Sequence, residues 1–174
     1  MTIKIEATID GLGGLNAALQ RMAALGQKPR PIFEAIANYG ESSTRMRFRN
    51  QTGPDGARWK PSLRVQHSGG KTLIKSSMLL RSITGRADNN SAEWGTNRKY
   101  AAMMQNGGEI KAKNAAALRF RLPNGHFVTV KKVTIPERPY IGVNAEDGRE
   151  ILRLTTAVID DAAQAGKRGG TYAG

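Results

Sequence analysis

The chain has 174 residues and no cysteine, and its 27 Lys and Arg against 14 Asp and Glu give a formal net charge of 27 − 14 = +13. That length can bury a hydrophobic core without a covalent staple, and the missing thiols exclude disulfides, thiol nucleophiles, iron–sulfur clusters and cysteine zinc sites. No apolar run approaches the ~20 residues of a membrane span, and Met1-Thr2-Ile3-Lys4-Ile5-Glu6 lacks the apolar stretch of a signal peptide. The expectation is a soluble, cytoplasmically made, basic protein. Residues 2–9 alternate loosely, with Ile3, Ile5, Ala7 and Ile9 on one side, as in a half-buried strand. Asp10 can cap a helix near 11–25 in which Leu12, Leu15, Leu19 and Met22 recur at helical spacing, and Gly26 ends it. Pro31 suits the first turn of a second helix over 31–50, with Ile32, Ile36, Tyr39, Ser43 and Met46 on one stripe. Arg45, Arg47 and Arg49 close that helix; they read either as cations matched to its dipole or as contacts for a partner.

Residues 50–72 read as a long irregular loop, rich in Gly and Pro, with a large apolar side chain, Trp59, in its middle. Loops of that length are functional or disordered, so Trp59 is expected to dock, on its own domain or on a neighbour. A loop unable to hold itself is expected to become ordered mainly on a subunit or a neighbouring protein. A short helix over 73–83 would turn Leu79, Leu80 and Ile83 inward, and Ser91–Gly95 has the look of a strand end. Residues 98–105 carry Tyr100, Met103 and Met104 at helical spacing and stop at Gly107-Gly108. Trp94 and Tyr100 are assigned to the core. The clearest β signal follows: Leu118–Leu122 alternates strictly, Pro123-Asn124-Gly125 turns, and His126–Lys132 alternates again. One face of this hairpin is apolar, and the other presents Arg119, Arg121 and Lys131, which Lys132 can join at the strand end. Asn144 caps a last helix near 145–165, striped by Ile151, Thr155, Val158 and Ala162. Residues 166–174 read as a flexible tail. Together these predict a single α+β domain over 1–165, in which a small antiparallel sheet packs against N-terminal and C-terminal helices.

Charge is segregated along the chain. From Arg45 to Lys132 there are 18 basic and 4 acidic residues, a net of +14, while the remainder nets 9 − 10 = −1. Such a concentration points to a polyanion or to a charged assembly surface. Aromatics make up 6% of residues, too few for a single-strand stacking surface, so duplex phosphates fit better. No catalytic constellation stands out, and none is expected. Gly69-Gly70-Lys71-Thr72 resembles the end of a phosphate loop, but Val65 stands where the first glycine belongs. His67 and His126 lack metal spacing, no Gly-x-Ser-x-Gly elbow occurs, and Glu146, Asp147 and Glu150 read as complements to a helix dipole. No enzyme activity, cofactor or metal is expected.

Several stretches in fixed order carry a resemblance. Phe48 to Leu63, with Pro54-Asp55-Gly56-Ala57-Arg58-Trp59-Lys60-Pro61, is similar to the Pro-x-Gly-x-x-Trp-x-Pro-Leu signature of the phage virion morphogenesis family, the Mu-like tail-completion or neck proteins of tailed phages. Lys71-Thr72-Leu73, Leu79–Ile83, Trp94-Gly95-Thr96 and Tyr100-Ala101 leading to Gln105–Gly108 follow in the family's order. Ile135–Val143 ends the series, close to Pro-x-Arg-Pro-[Phe/Tyr]-[Leu/Ile]-Gly. Met104 departs from the His often found before the Gln of the Tyr-Ala block. The resemblance implies a structural virion protein of the tail or neck, assembled in the host cytoplasm. It would complete the tail or join it to the head as a ring, commonly a hexamer, around the channel for genomic DNA. Its partners would be the connector and tail tube, with no membrane. On this reading Arg119, Arg121, Lys131 and Lys132 are candidates to face the DNA channel, or else meet acidic residues such as Asp160 and Asp161 of a neighbouring subunit. Trp59, Arg45, Arg47, Arg49 and Arg138 are candidate assembly contacts. A duplex nucleic-acid-binding protein with a basic surface is the alternative.

Overall fold

A computed structural model describes residues 13–24, 27–113 and 115–169. The expected strand at 2–9, the Asp10 cap of the first helix, its stop at Gly26 and residues 170–174 of the tail lie outside them. In chain order the elements are α1 (Gly13–Ala24), α2 (Arg30–Asn50), α3 (Leu63–Ser68), α4 (Met78–Arg81), β1 (Thr84–Ala87), β2 (Ala92–Gly95), α5 (Ala101–Asn106), β3 (Gly108–Lys111), β4 (Leu118–Arg121), β5 (Phe127–Val130), β6 (Lys132–Ile135) and α6 (Ala145–Gly169). The class is α+β. The strands pair only as antiparallel two-stranded ribbons, β1 with β2, β3 with β6 and β4 with β5, rather than as one sheet. Where the sequence led to one domain, the described residues group into two compact units. A helical unit draws on residues 13–43, 84–95 and 143–169, and a second unit on 44–83 and 96–142. No linker marks the division because one boundary falls inside α2. Helix α6 also runs on past residue 165, where the tail was expected to begin.

The helical unit has its core where α1, α2 and α6 turn their stripes together: Ala18, Met22, Ile32, Ile36, Ile151 and Ile159 are buried in one cluster. On α6 the buried row is Asp147, Ile151, Thr155 and Ile159, at strict four-residue spacing, with Val158 and Ala162 only half-buried. Thr155 disposes of its hydroxyl by donating to the Ile151 carbonyl at 2.8 Å. On α2 the expected stripe drifts: Met46 is 48% exposed, and Thr44, Arg47 and Phe48 are buried instead. The β1–β2 ribbon lies against α2 through two glycines. A Cβ on Gly40 would stand 2.2–2.6 Å from the Trp94 indole, and one on Gly85 would stand 2.7 Å from the Ala37 carbonyl oxygen. Gly40→Ala, which in an open helix would stabilise by about 0.5–1 kcal/mol, is therefore expected to destabilise by about 1–3 kcal/mol. Chemical denaturation of Gly40→Ala against the double variant with Trp94→Leu checks this. The double variant should recover the loss caused by the clash.

Asp147 is more than a dipole complement. Its backbone N–H donates to Asn144 Oδ1 at 2.8 Å and its carboxylate accepts from the Asn144 N–H at 2.9 Å, a reciprocal cap. The same carboxylate accepts the hydroxyls of Tyr39 and Ser43, both at 2.8 Å, tying α6 to α2. Burial, and then the hydrogen bond to Asp147, push the Tyr39 phenol up to about 12 from an ordinary 10. A folded-state pKa above the unfolded one means that this contribution to stability is complete below pH 10 and is lost as pH rises toward 12. Tyr39→Phe should flatten that alkaline loss, read as denaturation midpoints across this window. Burial raises the Tyr140 phenol too, so part of the slope should remain.

Candidate assembly surfaces

Residues 136–142 of the second unit form a strap that belongs to no sheet, so its backbone groups must find partners elsewhere. Pro136 and Pro139 remove two donors outright. The remaining groups are met from several elements. Gln105 of α5 accepts from the Tyr140 and Ile141 N–H groups at 2.9 and 3.1 Å and donates to the Ile141 carbonyl at 2.8 Å. Arg47 of α2 donates to the carbonyls of Tyr140 and Gly142 at 3.3 and 2.7 Å. The Trp59 indole donates to Pro139 O at 2.8 Å, and the Arg138 N–H to Met104 O at 2.9 Å. Arg138 reaches back from the strap to Lys60 O at 2.9 Å. Phe48 stands edge-on to Trp59, ring centroids 5.4 Å apart, and 5.0 Å from Tyr140, whose hydroxyl donates to Ala101 O at 3.1 Å. Gly142 is a glycine because a Cβ would come within 2.6 Å of the Pro54 ring.

This knot and the segments around it correct several sequence expectations. Trp59 is only 6% exposed and needs no neighbouring subunit to be buried. Its loop holds itself: Thr52 bridges to Arg58, and Ser62 caps α3 by accepting from the Val65 N–H. Gln51 accepts from the Thr72 N–H at 2.6 Å and donates to the Phe48 and Thr72 carbonyls. Arg47 and Arg138, 7% and 6% exposed, hold carbonyls inside the chain rather than offering an outer surface. Arg45 is half-buried and donates to Ile83 O at 2.9 Å. Arg49 is exposed. Tyr100, assigned to the core, is 42% exposed. Expected helix 73–83 shrinks to the single turn of α4, with Leu79 and Ile83 buried and Leu80 half-buried.

The expected hairpin forms, with Leu118 opposite Val130 and Arg121 opposite Phe127 and with Gly125 at φ 89 supplying the left-handed turn residue. It is the outer half of a longer arm. The chain goes out through β3 and β4 and returns through β5 and β6, with Gly108 opposite Ile135 at the base. No residue of these four strands is buried. Arg119 and Arg121 share a face, and the Arg119 guanidinium lies 4.8 Å from the centre of the Phe127 ring. Lys131 sits at a bend between β5 and β6, while Lys132 opens β6 and pairs with Glu109 at 2.7 Å.

The units divide the charge more sharply than chain position does. Residues 44–83 and 96–142 hold 18 basic and 3 acidic residues, net +15. The described residues of the helical unit, in 13–43, 84–95 and 143–169, hold 8 and 9, net −1. The Gly69-Gly70-Lys71-Thr72 turn is no open cradle. Arg64 occupies it, donating to the Gly69 and Lys71 carbonyls, and Lys71 donates to Arg49 O. Among the described residues no cluster of three or more acidic or His side chains could hold a metal, and no helix is long and apolar enough to cross a membrane.

The model of the phage virion morphogenesis family matches residues 11–160. The chain belongs to that family. It is 31% identical over 148 residues to Mu-like prophage FluMu G protein 2 of Haemophilus influenzae, covering 85% of this chain and 91% of that one. No solved structure matches it. Family membership gives the chain a role in building the phage particle. Most of the family-like blocks noted in the sequence meet in the strap knot, so the signature encodes a core; Trp94 is the exception, packed in the helical unit. Sequence reading missed Gln105 and the burial of Asp147. The signal for Asp147 was present, since it continues the four-residue row of Ile151, Thr155 and Ile159. Nothing local marked Gln105.

Proposed function

We propose that this chain is a structural, non-catalytic protein of the tail or neck that completes the phage tail or joins it to the head, as a ring around the DNA channel. The observation that carries the reading beyond the family is the charge split. A family member that builds the particle gathers a net +15 in one unit, and six copies would bring 6 × 13 = +78 formal charges to a ring. That excess calls for a polyanion or acidic neighbours, and a DNA channel flanked by connector and tail tube offers both. Native mass measurement of the purified protein, alone and with isolated tail tubes, tests it. The expected result is a closed multiple of the 18.8 kDa chain, six-fold on this reading, and its capture at tube ends. A protein that stays monomeric with and without tubes, yet binds duplex DNA with a steep salt dependence, would instead be a nucleic-acid-binding protein.

A further inference from the structure

The arm of residues 108–135 has features that a free two-stranded ribbon does not tolerate well. Two strands without a covering layer are marginally stable in water, and this ribbon has no buried strand residue. It leaves large apolar side chains in the open: Ile110 is 39% exposed, Phe120 37% and Phe127 61%. Its charges are also unbalanced, with six Lys and Arg against Glu109 alone, a net of +5. Lys111 and Lys132 stand directly opposite each other at the β3–β6 end, a destabilising like-charge pair. Both turn to the single carboxylate of Glu109, at 3.4 and 2.7 Å. On the outer half Arg119 and Arg121 have no carboxylate partner among the described residues. Such a ribbon is completed by a surface that is acidic and covers apolar rings. The same chain owns an acidic spot: Asp160 and Asp161 stand side by side on α6, both exposed and without an ion pair among the described residues, in a unit that nets −1 against the +15 of the other.

We propose that the arm docks on the helical unit of a second copy of this chain, with Arg119 and Arg121 against Asp160 and Asp161 and with Phe127 covered. The inference rests on the ring reading and names its contact. It is a head-to-tail interface, basic arm to acidic helix, of the kind that repeats around a ring until it closes. Phe127 shares the face of Arg119 and Arg121, and an exposed ring there suits a protein surface better than a phosphate backbone.

Charge exchange tests it. Arg119→Glu with Arg121→Glu should weaken self-association at least about tenfold, and so should Asp160→Lys with Asp161→Lys. Mixing the two variants, or joining all four substitutions in one chain, should restore association. Circular dichroism confirms that each variant folds. A second measurement does not depend on the charge variants: the chain has no cysteine of its own, so Arg121→Cys and Asp161→Cys proteins can be mixed under oxidising conditions. A mixed disulfide dimer in preference to either homodimer is expected. Wild-type rings that persist after arm charge reversal, with no mixed disulfide, overturn the docking while leaving the ring intact. A wild-type chain that never self-associates, at low salt or with tail tubes, overturns the ring reading and the docking with it. Rings that form normally but fail to retain DNA after arm charge reversal assign the arm to DNA and also overturn the docking.

Discussion

Trp59→Ala is expected to destabilise the isolated subunit by about 3–5 kcal/mol, the range for truncating a buried aromatic side chain. The side chain is 6% exposed, its ring supports Phe48 edge-on, and its N–H satisfies the Pro139 carbonyl. Removing it leaves a cavity beside Phe48 and an acceptor without its partner, two penalties that act together. For a chain of this length the melting temperature should fall by about 10 °C or more. Trp59→Phe keeps most of the ring and loses only the donor, so it should cost about 1–3 kcal/mol. Thermal melts followed by circular dichroism give the order wild type, Phe, Ala. An alanine variant that melts with the wild type and fails only in assembly would place Trp59 at a subunit contact after all.

Gln105→Leu should cost about 3 kcal/mol or more despite nearly unchanged volume. Leucine leaves the N–H groups of Tyr140 and Ile141 and the carbonyl of Ile141 unpaired where water does not reach. Gln105→Glu separates donor from acceptor. An ionised carboxylate at that position would still accept both N–H groups but would oppose the Ile141 carbonyl, whereas its protonated form regains the donor. Burial and that carbonyl should raise the new carboxyl's folded pKa above its unfolded one. Stability of the Gln105→Glu variant should then be greatest below the unfolded pKa, about 4.3, and fall as pH rises through the folded value. Denaturant midpoints across that range check the sign. A leucine variant without pH dependence and a glutamate variant with it are the joint expectation.

The consequences of these variants are readable only from the folded chain, although the residues themselves were conspicuous. Trp59 drew notice as an apolar side chain in a Gly- and Pro-rich loop, and loop composition argued that it would dock on something foreign. The partner was instead a strap 80 residues later, with two prolines and few donors to satisfy. Arg47 and Arg138 were read from their outward chemistry, as cations, yet each spends its donors on backbone carbonyls in the interior. Side-chain chemistry says which bonds a residue can make, while its distant neighbours decide which it does make.

The amino-acid sequence by itself determined the local elements and the charge. Period and caps placed the α2 and α6 helices, strict alternation and Pro-Asn-Gly placed the β4–β5 hairpin, and counting placed the positive excess in the middle of the chain, because each depends on neighbours a few residues apart. Tertiary structure decided what those elements meet. It set Gly40 against Trp94, turned Asp147 into the tie between two helices, split the charge of the described units at +15 and −1, and left no strand residue of the arm buried. Alternation fixed that Arg119 and Arg121 share a face. That Phe127 joins them there follows from the strand register.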